Sequence, residues 1–142
     1  MRKTRKILWG ISAVLILCLC FTACGKTKDA VSMWETATYK TDTTLGEGAK
    51  TLLVAVTAEE KTVLFTVHTD AETVGEALLA ENLISGEQGA YGLYVKVVNG
   101  MTADYDTTGT YWAFSKNGAY MMEGVDAAAF SDGEKFELTC TA

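Results

Sequence analysis

Arginine stops early in this 142-residue chain, proline is absent, and there is a single histidine. Beyond position 23 the sequence carries eight Lys, no Arg and 18 Asp or Glu, a net charge of −10, against −6 for the whole chain. A surface so acidic repels phosphate backbones, which excludes nucleic acid as a partner. One His, with no second His and no Cys cluster, supplies no recognisable metal-ligand set. Without Arg or a second His, general acid and base work would fall on carboxylates alone. The chain also lacks Gly-x-Ser-x-Gly and His-Glu-x-x-His, so it reads as a binding protein and not as an enzyme. The length suits one domain.

What the chain does have begins at its first residues. Arg2, Lys3, Arg5 and Lys6 precede an uncharged apolar run over residues 7–23, the three-part pattern of a secretory signal. The run is at the short limit for a membrane span, and a small residue followed by Cys at its end favours cleavage. Leu19-Cys20-Phe21-Thr22-Ala23-Cys24 resembles the lipobox of bacterial lipoproteins. That resemblance implies that Cys24 carries a diacylglycerol and becomes the first mature residue. An uncleaved single-span anchor and a released secreted protein are the alternatives; on all three the domain lies outside the cytoplasm. The expected organisation is a lipoprotein signal peptide over 1–23, a lipidated tether over 24–48 and a folded domain over 49–142. The protein is then extracytoplasmic and lipid-anchored to the cell membrane. Cys18 and Cys20 would leave with the leader, so Cys140 would be the only free thiol and no internal disulfide could form. Cys140 alternates with Phe136 and Leu138 and is expected as a small apolar core residue.

Residues 25–48 are rich in Thr, Lys, Asp and Glu with no hydrophobic period, and are expected to act as a spacer, with docking of the Met33-Trp34 pair on the domain as the alternative. Regular structure begins at Ala49. Thr51 to Thr57 and Thr62 to His68 are β-branched runs that predict an antiparallel hairpin, with Val63, Phe65 and Val67 inward and His68 outward. Thr69-Asp70-Ala71-Glu72 reads as a capping box opening a helix of about three turns that Ser85-Gly86 stops. A Gly-rich loop follows, then an alternating run from Leu93 to Val98 that places Tyr94 and Lys96 on its outer side. Asn117-Gly118 predicts a second hairpin within Tyr111 to Met122. Asp132-Gly133 turns the chain into a last strand, Lys135 to Thr141. Together these predict an α+β fold, a β-grasp-like mixed sheet with one helix packed on one face.

Three segments carry a further resemblance. Gly92-Leu93-Tyr94-Val95 stands ahead of Asn99-Gly100; Tyr111-Trp112-Ala113-Phe114 is followed by Asn117-Gly118; Gly124-Val125 leads to Asp132-Gly133-Glu134-Lys135-Phe136. In order and spacing they resemble the C-terminal β-domain of the transcobalamin and intrinsic-factor family, found in bacteria as a domain of unknown function on lipoproteins. The resemblance implies a β-grasp domain that lies over one face of cobalamin. Its ligand-facing positions fall on Tyr94, Met121 and Met122. The vertebrate carriers also use a large helical domain that this chain is too short to contain. A second binding domain or a membrane transporter is therefore the expected partner, with cobalamin as ligand and no required cofactor.

The hairpin register places Met121 opposite Phe114 and Met122 opposite Ala113. If Trp112 and Phe114 face the core, Met121 does too, and Met122 is left free. The alternative function is a cell-surface module for protein or glycan interaction or adhesion, without a small-molecule ligand. Asp104-Tyr105-Asp106-Thr107-Thr108-Gly109 resembles the opening of a calcium loop, but its closing position is Ser115 where a bidentate Glu is required, so a solvated acidic loop is expected.

Overall fold

Alternating apolar residues in the middle of the chain set the main sheet. In the computed structural model, which describes residues 31–142, β2 (Lys50–Ala58) and β3 (Lys61–Thr69) pair antiparallel from Lys50↔Thr69 to Ala58↔Lys61. Their two-residue turn, Glu59-Glu60, has both φ angles positive, at 51° and 66°. A primed turn of this kind matches the strands' own twist, so the hairpin closes two residues tighter than the four-residue link expected.

The last strand, β9 (Lys135–Thr141), lies parallel to β2. It pairs antiparallel with β7 (Tyr111–Lys116), which turns at Asn117-Gly118 into β8 (Ala119–Tyr120). With β1 (Thr43–Gly46) parallel to β3, the order is β1-β3-β2-β9-β7-β8. A second sheet holds β4 (Ile84–Gly89), β5 (Gly92–Val98) and β6 (Met101–Thr102), in that order.

The expected α+β class, a β-grasp-like sheet with a helix packed on one face, is therefore corrected. The fold is β-rich, with sheets of six and three strands. Among the described residues the α-helices, α1 (Val74–Ala80) and α2 (Tyr105–Thr108), have seven and four residues.

Two local choices account for the difference. Two Thr-x-x-Glu sequences follow each other directly, Thr69 to Glu72 and Thr73 to Glu76, and the second forms the capping box. Thr73 Oγ1 accepts the Glu76 N–H at 3.2 Å, and the Glu76 carboxylate accepts the Thr73 N–H at 3.1 Å. Thr69 is still the end of β3, and its hydroxyl accepts only a turn bond from Ala71 N–H. At the other end Asn82 adopts φ 57°, and Leu83 N–H donates to Leu78 O at 2.9 Å, a left-handed helix stop. The apolar residues beyond, Leu83 and Ile84, then lead into β4.

The predicted Gly-rich loop is thus a hairpin. A bulge at Ser85/Gly86 lets β4 follow β5. Gly86 is required there, because a Cβ would stand 1.9 Å from the Tyr94 carbonyl oxygen.

One apolar core joins the sheets. Leu52, Val54 and Val56 of β2, Val63, Phe65 and Val67 of β3, and Phe136 and Leu138 of β9 are buried on one face of the large sheet. Ile84, Val95, Val98 and Met101 of the small sheet belong to the same core, as do Val74, Ala77 and Leu78 of α1. Trp112 is buried and Phe114 stacks on Phe136 at 5.6 Å, as alternation predicts. The opposite face bears Thr51, Leu53, Thr57, Thr62, Leu64, Thr66, His68 and Thr139, each half-buried or exposed.

The described part of the expected spacer is folded onto this body. Met33–Glu35 forms a 3-10 turn, and Trp34 is 7% exposed with its indole N–H donating to Ala58 O at 2.8 Å. Glu59 accepts from Ser32 Oγ and Met33 N–H. Further on, the buried Asn99 side chain receives Tyr39 N–H at 2.9 Å and donates to Tyr39 O at 2.8 Å. Asp42 then accepts from Leu64 N–H beside β1. Residues from Ser32 on form one unit with the rest. The leader and Cys24 lie outside the described residues.

Candidate functional site

Tyr94 points outward from β5, as predicted, and is 40% exposed. Its hydroxyl accepts the Tyr105 backbone N–H at 3.4 Å, the first link of a row. The Tyr105 and Tyr111 rings lie 6.4 Å apart, centre to centre, tilted by 58°. Pairs at this separation attract by about 0.5–1.5 kcal/mol beyond the area they cover. The Tyr111 and Tyr120 hydroxyls are then hydrogen-bonded at 3.0 Å. Tyr105 and Tyr120 are 59% and 63% exposed. Four tyrosines from both sheets and α2 thus stand in one row along the surface.

Each is placed by backbone that the sequence dictates. Tyr111 alternates with the buried Trp112 on β7, so it falls on the outer face, and Tyr120 faces that side because it pairs with Ser115. Ala113 lies between them on the same face; its methyl is small enough for the two phenols to meet above it.

Tyr105 is the first residue of α2. The expected acidic loop is this helical turn, capped by Asp104, whose Oδ1 accepts the Asp106 N–H at 3.2 Å, and closed by Gly109 at φ 75°. Gly permits that left-handed stop without a steric penalty. Lys96 braces the region. Its ammonium lies 3.2 Å from Glu87 and 3.5 Å from Asp104, and 5.5 Å from the centre of the Tyr94 ring. The Glu87 hydrogen bond, with Asp104 adding to it, raises the Lys96 pKa above its ordinary value. The Tyr111 phenol is also raised, first by its bond with Tyr120 and then by partial burial. Both therefore hold their protons throughout neutral pH.

The other predicted positions divide. Met122 is 97% exposed. Met121 is half-buried against the core, its N–H donating to Phe114 O at 3.0 Å, so the hairpin register turns it inward. Cys140 is half-buried opposite Trp112, and burial is the main cause of its raised pKa, which leaves it a thiol and a poor nucleophile. His68 sits on the open sheet face with Thr51 Oγ1 3.3 Å from its Nδ1.

Several residues of the sequence motifs prove structural. Asn99-Gly100 clamps the N-terminal segment, and Asp126, beside Gly124-Val125, accepts the Leu93 N–H at 3.1 Å. Among the described residues there is no pocket and no group of three His, Cys, Asp or Glu able to hold a metal ion.

Fold and surface together define a small two-sheet β domain presenting an open, tyrosine-lined face. The chain belongs to the family described as a domain of unknown function, DUF4430, which matches residues 71–142. Among solved structures, a candidate metal-binding protein from Ruminococcus gnavus ATCC 29149 is 37% identical, over 66% of this chain and 97% of that one, with a TM-score of 0.62. Haptocorrin in complex with Cbi is 19% identical over 65% of this chain and 25% of its own, with a TM-score of 0.48. No curated protein matches the chain.

Proposed function

We propose that this protein is a binding module, held outside the cytoplasm by a lipid on Cys24, that takes a bulky ligand onto the surface formed by Tyr94, Tyr105, Tyr111 and Tyr120. One observation carries this reading: four surface tyrosines follow one another in a row, linked by a hydroxyl-to-backbone bond, a ring contact and a hydroxyl pair, and are fixed on four different elements. Rings ordered before a ligand arrives lose little further freedom on binding.

The reading is of a binding protein and not an enzyme, with no nucleic-acid partner, in keeping with the charge of the mature chain. The basic start and the Cys24 junction support the anchor, which Cys24→Ser tests by releasing the protein from the membrane fraction.

Cobalamin is the ligand suggested by the resemblance in Tyr94 and Met122. A corrinoid is a broad, largely apolar disc fringed by amides, and it could lie on open rings with a transporter or second binding domain covering its other side. The inward turn of Met121 removes one expected contact. The metal binding ascribed to the Ruminococcus relative has no donor cluster to rest on among the described residues.

A second reading, adhesion to a surface macromolecule, is favoured by the openness of the face. Calorimetric titration of the full-length, detergent-solubilised protein with cyanocobalamin separates the two. Saturable heat that Tyr94→Ala and Tyr105→Ala abolish supports cobalamin on this surface. Heat untouched by these variants would move the ligand elsewhere, and no heat at millimolar ligand would leave the adhesive reading.

A further inference from the structure

We propose that the ligand of the tyrosine surface is a glycan chain, neutral or amine-bearing, laid across Tyr94, Tyr105, Tyr111 and Tyr120. This rests on the reading of that surface as the ligand site and narrows it to one chemical class.

Shape is the first argument. Compact small ligands are ordinarily held in concavities that enclose most of their area. The described residues form no such pocket, whereas the tyrosine row runs from the small sheet across α2 to the edge of the large one. An extended ligand can touch all four rings without being enclosed.

Chemistry is the second. A pyranose ring has a face of C–H groups and a rim of hydroxyls. Phenol rings can stack on the face while their hydroxyls meet the rim. In the Tyr111–Tyr120 pair one proton is shared between the two oxygens, which leaves the second proton and free lone pairs for a ligand.

The surroundings add hydroxyls. Thr141 pairs with Tyr111 on the neighbouring strand, and Thr107 and Thr110 follow Tyr105 along α2 and its exit; the Thr107 hydroxyl donates to Asp104 O and keeps its lone pairs, while that of Thr108 is taken up by Asp104 and Thr110. Protein interfaces centre on apolar cores in which Met and Arg join the aromatics. Here, among the described residues, the only large hydrophobic side chains well exposed besides tyrosines are Val31, Leu79 and Met122, and Arg does not occur. A surface of phenols and threonine hydroxyls suits a polyhydroxylated polymer better than a protein.

Charge sets the class of sugar. Asp104, Asp106 and Glu87 lie around the row on a chain whose mature part carries −10, which opposes uronate, sulfate or phosphate groups.

The test is retention of the full-length, detergent-solubilised protein on insoluble cellulose and chitin, with xylan, laminarin and a chitin hexasaccharide as soluble competitors. Pectin serves as the anionic polymer and gelatin beads as the peptide one. At least one of the neutral polysaccharides, or the deacetylated chitosan tested beside them as the amine-bearing polymer, should hold the protein, and pectin should not. Tyr105→Ala and Tyr111→Ala should each weaken retention about tenfold, the size of one lost aromatic contact. Tyr91→Ala, at a position 99% exposed on the β4–β5 turn, should change nothing. Tyr120→Phe keeps the ring and deletes the hydroxyl with its bond to Tyr111, so it should weaken retention less than either alanine change.

The proposal is overturned if no polysaccharide retains the protein, if retention survives both alanine changes, or if gelatin alone is bound. Cyanocobalamin heat lost in the same variants, without retention on any polysaccharide, would keep the tyrosine surface as the ligand site while discarding the glycan. Glycan retention indifferent to the tyrosines would instead remove the surface itself.

Discussion

Replacing Trp34 by Ala should destabilise the domain by about 3–4 kcal/mol, although the residue lies in a segment with the composition of a spacer. The magnitude follows from its contacts. Trp34 is 7% exposed, and truncating a buried aromatic to Ala removes about 3–5 kcal/mol. The indole bond to Ala58 O adds about 1 kcal/mol, and the Lys61 ammonium 4.6 Å from the ring centre about 0.5–1 kcal/mol. Against these, the segment stays pinned by Glu59 and by Asn99, so it can settle over part of the gap, which brings the expectation below the plain sum, to about 3–4 kcal/mol. Trp34→Phe keeps most of the packing and should lose only about 1 kcal/mol with the indole N–H. Urea denaturation of the full-length chain gives the free energies, and hydrogen exchange at Thr38 and Tyr39 reports whether the segment has lifted. A loss under about 1 kcal/mol with unchanged exchange would refute the docking and restore the spacer.

Gly86→Ala should cost about 1–3 kcal/mol, because the new methyl meets the Tyr94 carbonyl oxygen and the strands must part at the bulge; an unchanged melting temperature would contradict this. Thr73→Ala should remove about 1 kcal/mol by opening the cap of α1, measured by urea denaturation, and a larger effect from Thr69→Ala would place the capping box at the earlier Thr-x-x-Glu. Acid should weaken the protein partly through Glu134. The Lys116 ion pair, with the Ser131 N–H, holds its carboxyl below the ordinary range, so its contribution is present above the unfolded-state value of about 4.3 and lost as pH falls through the folded one. Glu134→Gln should flatten the fall of melting temperature below about pH 4.5, and an equally steep fall would contradict the assignment.

Strands whose signal lies in their own residues were legible. The β-branched alternation of residues 51–68 and the run from Lys135 to Thr141 mark β2, β3 and β9 directly, and Asn117-Gly118 marks the β7–β8 turn. What escaped depends on partners far along the chain. Nothing within residues 32–46 shows that Ala58, Glu59, Leu64 and Asn99 will bind them. The helix was overextended because Leu83 continues its apolar period, while the Asn82 left-handed stop is a weak local signal. Two successive Thr-x-x-Glu sequences look alike on paper, and the strand pairing of Thr69 decides between them.

The site was partly visible. Tyr94 reads as outward from its alternation with Val95, and Met121 as inward from its pairing with Phe114. Tyr111 and Tyr120 each have an outward signal, but their hydroxyls meet along the strand and not in the direct cross-strand register, which hides them as a pair. Tyr105 was concealed by an acidic sequence whose Asp104 serves as a helix cap.

The account stands on one surface receiving the ligand, and tyrosine-selective NMR tests this most directly. Ring resonances of the full-length protein in detergent would be followed during titration with the glycan or corrinoid that it retains. Tyr94, Tyr105, Tyr111 and Tyr120 should shift together along one saturation curve, while Tyr39, which packs edge-on to Phe65, and the exposed Tyr91 stay still. Saturable binding that moves Tyr91 or Tyr39 and leaves the four unmoved would contradict it.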